Sequence, residues 1–120
     1  MRLFDSHTHM FSEPLYESAA EVLARARSAG VERMVVPAYD SGSWSRVVAL
    51  AEMPGVCGAL GVHPWVADGG VDIRRLSKLL ESDSIVAVGE IGLDSKVDVP
   101  MEGQERGLSD QLRLAGDAEA

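Results

Sequence analysis

Four side chains in this sequence are of types that bind metal ions or move protons, and each follows a short apolar run. His7 and His9 come after Leu3-Phe4-Asp5, His63 after the stretch Val56 to Val62, and Glu90 after Ile85-Val86-Ala87-Val88. Residues two apart on an extended chain project to the same side, so His7 and His9 can both reach one ion while Thr8 points away. Imidazole pairs suit zinc, manganese, iron or nickel, and a carboxylate that can bridge two ions widens the choice toward magnesium and manganese. The competing reading is a pair of surface histidines in a loop. Glu90 lies in Val88-Gly89-Glu90-Ile91-Gly92, where the glycines permit close approach of backbone or ligand. A carboxylate between Val88 and Ile91 is costly to bury alone, so it is either metal-bound or ion-paired. His63, in Gly61-Val62-His63-Pro64-Trp65, is a third ligand, a phosphate contact or a hydrogen-bonded structural histidine. Asp5 either orients a ligand histidine or forms a turn, and Asp94 serves the same end of the sheet or caps a turn. Trp44 and Trp65 could stack on a base or a sugar, or could simply pack.

The elements that position these residues follow from periodicity. Leu3-Phe4-Asp5 is the first strand. Ser12 and Pro14 start a helix that places Leu15, Ala19, Val22, Leu23 and Ala26 on one face, and Gly30 closes it. Val31 to Val36 is a buried strand ended by Pro37, Asp40 to Ser43 a turn, and Ser45 to Met53 a second helix ended by Pro54-Gly55. The pattern repeats: a strand over Val56 to Val62, a helix capped by Asp72 that buries Ile73, Leu76, Leu79 and Leu80, a strand at Ser84 to Ile91, and a last helix over about Gln104 to Ala115. Four strand-helix units with short polar connections imply parallel pairing through crossovers. The expected fold is α/β, TIM-barrel-like, with about four of eight (β/α) units in one domain over residues 1–120. An open doubly wound sheet alternates in the same way, so the choice rests on the polar residues. All four sit at C-terminal strand ends, where a (β/α) barrel builds its active site.

Composition bounds the function. A net charge of −8 argues against a broad basic surface for a nucleic-acid backbone, so any phosphate chemistry must lean on bound cations. No apolar run approaches the roughly 18 residues of a membrane span, and the opening Met1-Arg2-Leu3-Phe4-Asp5 turns polar too early for a signal peptide. A cytoplasmic protein is expected. The single cysteine, Cys57, lies in an apolar stretch and reads as a small core residue.

Taken together, Phe4-Asp5-Ser6-His7-Thr8-His9, Ala59-Leu60-Gly61-Val62-His63-Pro64-Trp65 and Val88-Gly89-Glu90-Ile91-Gly92-Leu93-Asp94 resemble the TatD-like DNase family of metal-dependent hydrolases. The tail around Gln111-Leu112-Arg113-Leu114-Ala115 is similar to that family's helix after the fourth strand, with Leu108 where a phenylalanine is common. The resemblance implies that His7 and His9 bind one divalent ion, that Glu90 bridges it to a second, and that His63 sits near the substrate phosphate. It implies two ions per complete site, magnesium or manganese before zinc, and a deoxyribonuclease acting on DNA from an end. The family's remaining histidines and aspartate lie on later strands that these residues do not include. A truncated enzyme, binding metal weakly and with little or no activity alone, is therefore expected.

A half barrel leaves two strand edges and one apolar face open, so a homo-oligomer or a complementary chain is expected to cover them. Two other readings stand beside this one: a non-catalytic half barrel that pairs with itself or another chain, and a different hydrolase of the amidohydrolase superfamily. The stretch Gly89 to Asp94 speaks against the latter. Geometry poses one problem. Strands one and four are three spacings apart, about 14 Å in a flat sheet at roughly 4.8 Å each, too far for one ion unless the sheet curves.

Overall fold

A computed structural model describes residues 1–118. Four strands, β1 (Leu3–Asp5), β2 (Val31–Pro37), β3 (Val56–Leu60) and β4 (Ile85–Val88), form one sheet in the order β1-β2-β3-β4. All three pairings are parallel. The helices between and after them are α1 (Ala19–Ser28), α2 (Trp44–Ala51), α3 (Ile73–Leu79) and α4 (Met101–Ala118). Strand order follows chain order without a reversal, so the sheet has no switch point of the doubly wound kind, and right-handed crossovers carry successive helices to one face. This is the half-barrel arrangement of (β/α) units.

The core lies between sheet and helices. Met34 and Val36 of β2 and Leu60 of β3 pack there with Leu23 of α1, Trp44, Val47 and Leu50 of α2, and Leu76 of α3. Each helix turns this face inward because its apolar residues recur at helical spacing. On the sheet's remaining surface Phe4 is 57% and Val86 59% exposed. Among the described residues neither β1 nor β4 has a strand on its outer side.

Boundaries differ from the expected ones where a specific interaction outcompetes the local pattern. α1 begins at Ala19 rather than near Ser12, after a 3-10 turn at Tyr16–Ser18. Arg46 of α2 holds the preceding segment as a loop: its guanidinium lies 4.4 Å from the Tyr16 ring centre and donates to the Phe11 carbonyl and the Glu13 carboxylate. β3 stops at Leu60 because the side chain of Gln111, not a neighbouring strand, takes the Val62 backbone. A 3-10 segment at Pro64–Gly69, unexpected from periodicity, follows directly and packs against α4. The Asp72 cap is as expected, its carboxylate accepting from the Arg75 N–H at 3.1 Å.

Candidate metal centre

The segment Ser6–Met10 leaves β1 at the sheet edge. Asp5 acts as a turn former, its Oδ1 accepting from the His7 N–H at 3.1 Å, so it does not orient an imidazole. The Thr8 N–H donates to the Val35 carbonyl at 3.1 Å, which keeps the chain extended along β2 and sends His7 and His9 to the same side. Met10, 1% exposed, then anchors the segment in the core.

Glu90 reaches these histidines although β4 is three strands from β1. After Val88 the chain folds across the end of β3: Gly89 donates to the Leu60 carbonyl and Glu90 to the Ala38 carbonyl, each at 2.9 Å. The path crosses Gly61, where an added Cβ would stand 2.9 Å from the Glu90 carbonyl oxygen and the Gly89 carbonyl carbon. Only a residue without a side chain lets the backbones pass this closely. The separation of about 14 Å expected for a flat sheet is thus removed by a crossing of strand exits as well as by curvature.

The ligand atoms converge. The His9 Nε2 lies 3.0 Å from the His7 Nε2 and 3.0 Å from the Glu90 Oε2, and the His7 Nε2 lies 3.7 Å from the Glu90 Oε1. All three donors fall within 4.8 Å of one another. One N–H on His9 cannot point along both of its short contacts, so hydrogen bonding leaves one pair of lone pairs facing each other. A cation removes that conflict. Two donors on bonds of about 2.1 Å stand about 3.0 Å apart at right angles and about 3.4 Å at tetrahedral angles, so the observed spacings fit a common divalent ion. Both imidazoles are half-exposed and Glu90 is 21% exposed, leaving room for further ligands and for substrate.

His63 stands outside this trio. It begins the 3-10 segment, its Nδ1 accepts from the Trp65 N–H at 3.1 Å, and its ring packs against Tyr39 at 5.0 Å between centroids. With Nδ1 accepting, the neutral imidazole carries its proton on Nε2 and presents a donor. The neighbouring Asp94 carboxyl is held below its ordinary value of 3.8, first by the hydrogen bond from Trp65, then by the Lys96 N–H and the nearby His63. Slight burial opposes these effects.

Two buried glutamines on α4 were not singled out as site residues from sequence, yet they hold this region. Gln111 accepts from Val62 N–H at 2.7 Å and donates to the Val62 and Gly107 carbonyls. Gln104 accepts from Asp94 N–H at 2.8 Å and donates to the Asp94 and Val99 carbonyls. Both are 1% exposed. Their signal was available: Gln104, Gly107, Gln111 and Leu114 repeat on one helical face, where a glutamine is buried only if its amide is satisfied.

The TatD related DNase family matches residues 4–120. The uncharacterized metal-dependent hydrolase YjjV of Escherichia coli is 39% identical over 120 residues, covering 95% of this chain and 46% of that protein. A protein named 3'-5' ssDNA/RNA exonuclease TatD, from Pantoea sp., is 33% identical over 123 residues, covering 96% of this chain and 46% of its own length. The crystal structure of the Escherichia coli YjjV protein superposes with a TM-score of 0.89 over 98% of this chain and 48% of that one, at 38% identity. A TatD family hydrolase from Entamoeba histolytica shares the fold, with a TM-score of 0.84 at 19% identity. The chain spans about half the length of the relatives it matches. With its three motifs in order on the exits of β1, β3 and β4, the chain belongs to the TatD related DNase family.

Proposed function

We propose that this chain supplies one part of a divalent-metal site for hydrolysis of phosphodiester bonds in nucleic acid, with DNA as the substrate. The observation that carries the reading is the convergence of His7, His9 and Glu90 within 4.8 Å at the C-terminal end of the sheet. Relatives named as ssDNA/RNA exonucleases support the substrate class. A divalent ion held there, magnesium or manganese with zinc as the alternative, supplies Lewis acidity and lowers the pKa of a water nucleophile. His7 and His9 each offer a neutral Nε2, and Glu90 offers two oxygens, enough to face a second ion. His63, whose Nδ1 is taken by the Trp65 N–H, leaves Nε2 as the nitrogen for the phosphate contact proposed for it. The remaining ligands come from a second half barrel, which also covers the open β1 and β4 edges. That half is supplied by a complementary chain segment or by another copy.

Calorimetric titration with manganese and with zinc tests the ligand set. Saturable binding to the 120-residue chain is expected, with a loss of at least about ten-fold in His7→Ala and in Glu90→Ala. Unchanged affinity in both variants would sink the ligand assignment. Degradation of a single-stranded DNA oligomer, followed with and without the ion, tests the reaction itself. Weak or no cleavage is expected from the chain alone, and cleavage when a complementary half barrel is added. Absence of cleavage in the completed assembly would refute the nuclease reading.

A further inference from the structure

The two tryptophans have opposite surroundings. Trp44 is 0% exposed, and its indole N–H donates to the Gly61 carbonyl at 2.8 Å inside the core. Trp65 leaves 52% of its surface in water. An exposed ring forgoes part of the stabilisation of apolar burial, so polar contacts rather than packing set its orientation here. Trp65 is nevertheless fixed in orientation. Its Nε1–H donates to the Asp94 Oδ2 at 2.8 Å, and the His63 ring meets it edge-on at 5.2 Å between centroids. The bracket continues inward. The Asp94 Oδ1 accepts from the Lys96 N–H at 2.8 Å, and the Asp94 backbone is held by the buried Gln104 of α4. A chain of side-chain contacts therefore runs from the long helix to an aromatic face that is held open to solvent.

Its place in the fold matters as much as its rigidity. Trp65 and His63 follow β3, and Asp94 follows Glu90 by four residues on the exit of β4. The aromatic face thus shares the sheet end that carries the metal-binding trio. Resting on the nucleic-acid reading above, we infer that Trp65 is a stacking platform for a base of a single-stranded substrate, oriented by Asp94 and set beside the phosphate-binding side. Every base has a π-face that an indole can cover, whereas a paired base hides both faces in its stack, so an open indole selects for unpaired strand. The Asp94 carboxylate repels phosphate and so favours a base rather than the backbone at the ring. Specificity at this position is for an unpaired base of any identity, because the indole N–H, the one hydrogen-bonding group of the ring, is already taken by Asp94.

Intrinsic fluorescence reads this directly, because buried Trp44 is out of reach of a base. The probe is an eight-nucleotide thymidine oligomer, titrated into the 120-residue chain with magnesium and again with chelator, and compared with an abasic oligomer of equal charge. Quenching by the thymidine oligomer is expected, with binding about ten-fold tighter than that of the abasic strand. Trp65→Leu is expected to lose that difference, Trp65→Phe to keep most of the affinity, and Asp94→Ala to weaken it by a few fold. Equal binding of the two oligomers to the wild-type chain, or no base-dependent quenching, overturns the platform without reference to any variant. The two readings fail separately. Base-dependent quenching without metal-dependent cleavage in the completed assembly leaves the platform standing and removes the hydrolase reading. Cleavage with no quenching does the reverse.

Discussion

His7 and His9 leave a three-residue edge strand whose residues are all exposed; the His9 ring nitrogen meets His7 and Glu90, and its ring lies 5.4 Å from that of Phe11. His63 leaves a strand paired on both sides, its preceding backbone is bonded by Gln111, and its ring is packed between Tyr39 and Trp65. In the first region the protein fixes the backbone, through the Thr8 N–H and buried Met10, and leaves the ligand atoms half-exposed; in the second it fixes the side chains as well. Half-exposed side chains that meet mainly one another cost little to remove when no metal is bound, and a bound cation would make their loss felt. A braced loop is formed before any ligand arrives, and its cost is met by buried hydrogen bonds on α4.

The comparison breaks most sharply at Gln111. Replacing it by Leu leaves the Val62 N–H and carbonyl without partners in the core. At roughly 1–3 kcal/mol for each unsatisfied group, a loss of about 2–4 kcal/mol in urea unfolding is expected. A change below about 1 kcal/mol would show that the brace is dispensable. Gly61→Ala joins the two regions, because the new methyl meets the Glu90 and Gly89 backbones and the Gln111 Oε1 at 2.9 Å. It should cost about 1–3 kcal/mol and weaken manganese binding as Glu90 is pushed off the histidines. Intact affinity in that variant would mean that the crossing does not set the trio.

His9→Ala sharpens the contrast from the other side. Without metal its stability should match the parent within about 0.5 kcal/mol, while the rise in Tm on adding manganese disappears. An equal Tm rise in parent and variant would contradict the assignment. Acid provides the smallest test. The Asp94 carboxyl titrates below 3.8, so the stabilisation from its ionised form is complete above that value and is lost only as pH falls through the lower folded-state value. The Asp94-dependent part of the Trp65 emission, read as the difference between the parent and Asp94→Asn, should therefore stay constant down to about pH 4 and change below it. A transition well above pH 4 would show that Asp94 does not hold the ring.

Much of this was legible along the chain. Short apolar runs and period-3.6 patterns marked four strands and four helices in order, and the spacing of His7 and His9, two positions apart, determined that they share a side, because both are properties of local backbone geometry. The identity of Asp72 as a cap was local in the same sense. What no local signal carries is distance between strands. Whether Glu90 meets His9 depends on a backbone crossing at Gly61, and whether Trp44 or Trp65 is open to solvent depends on what packs over each ring. Asp5, which could have oriented an imidazole, was committed to a turn by the competing His7 N–H two residues away. The chain alone thus specified which groups stand at the strand ends. Only the tertiary structure decided which of them touch, because that depends on contacts between residues up to 81 positions apart, where packing and not sequence proximity sets the separation.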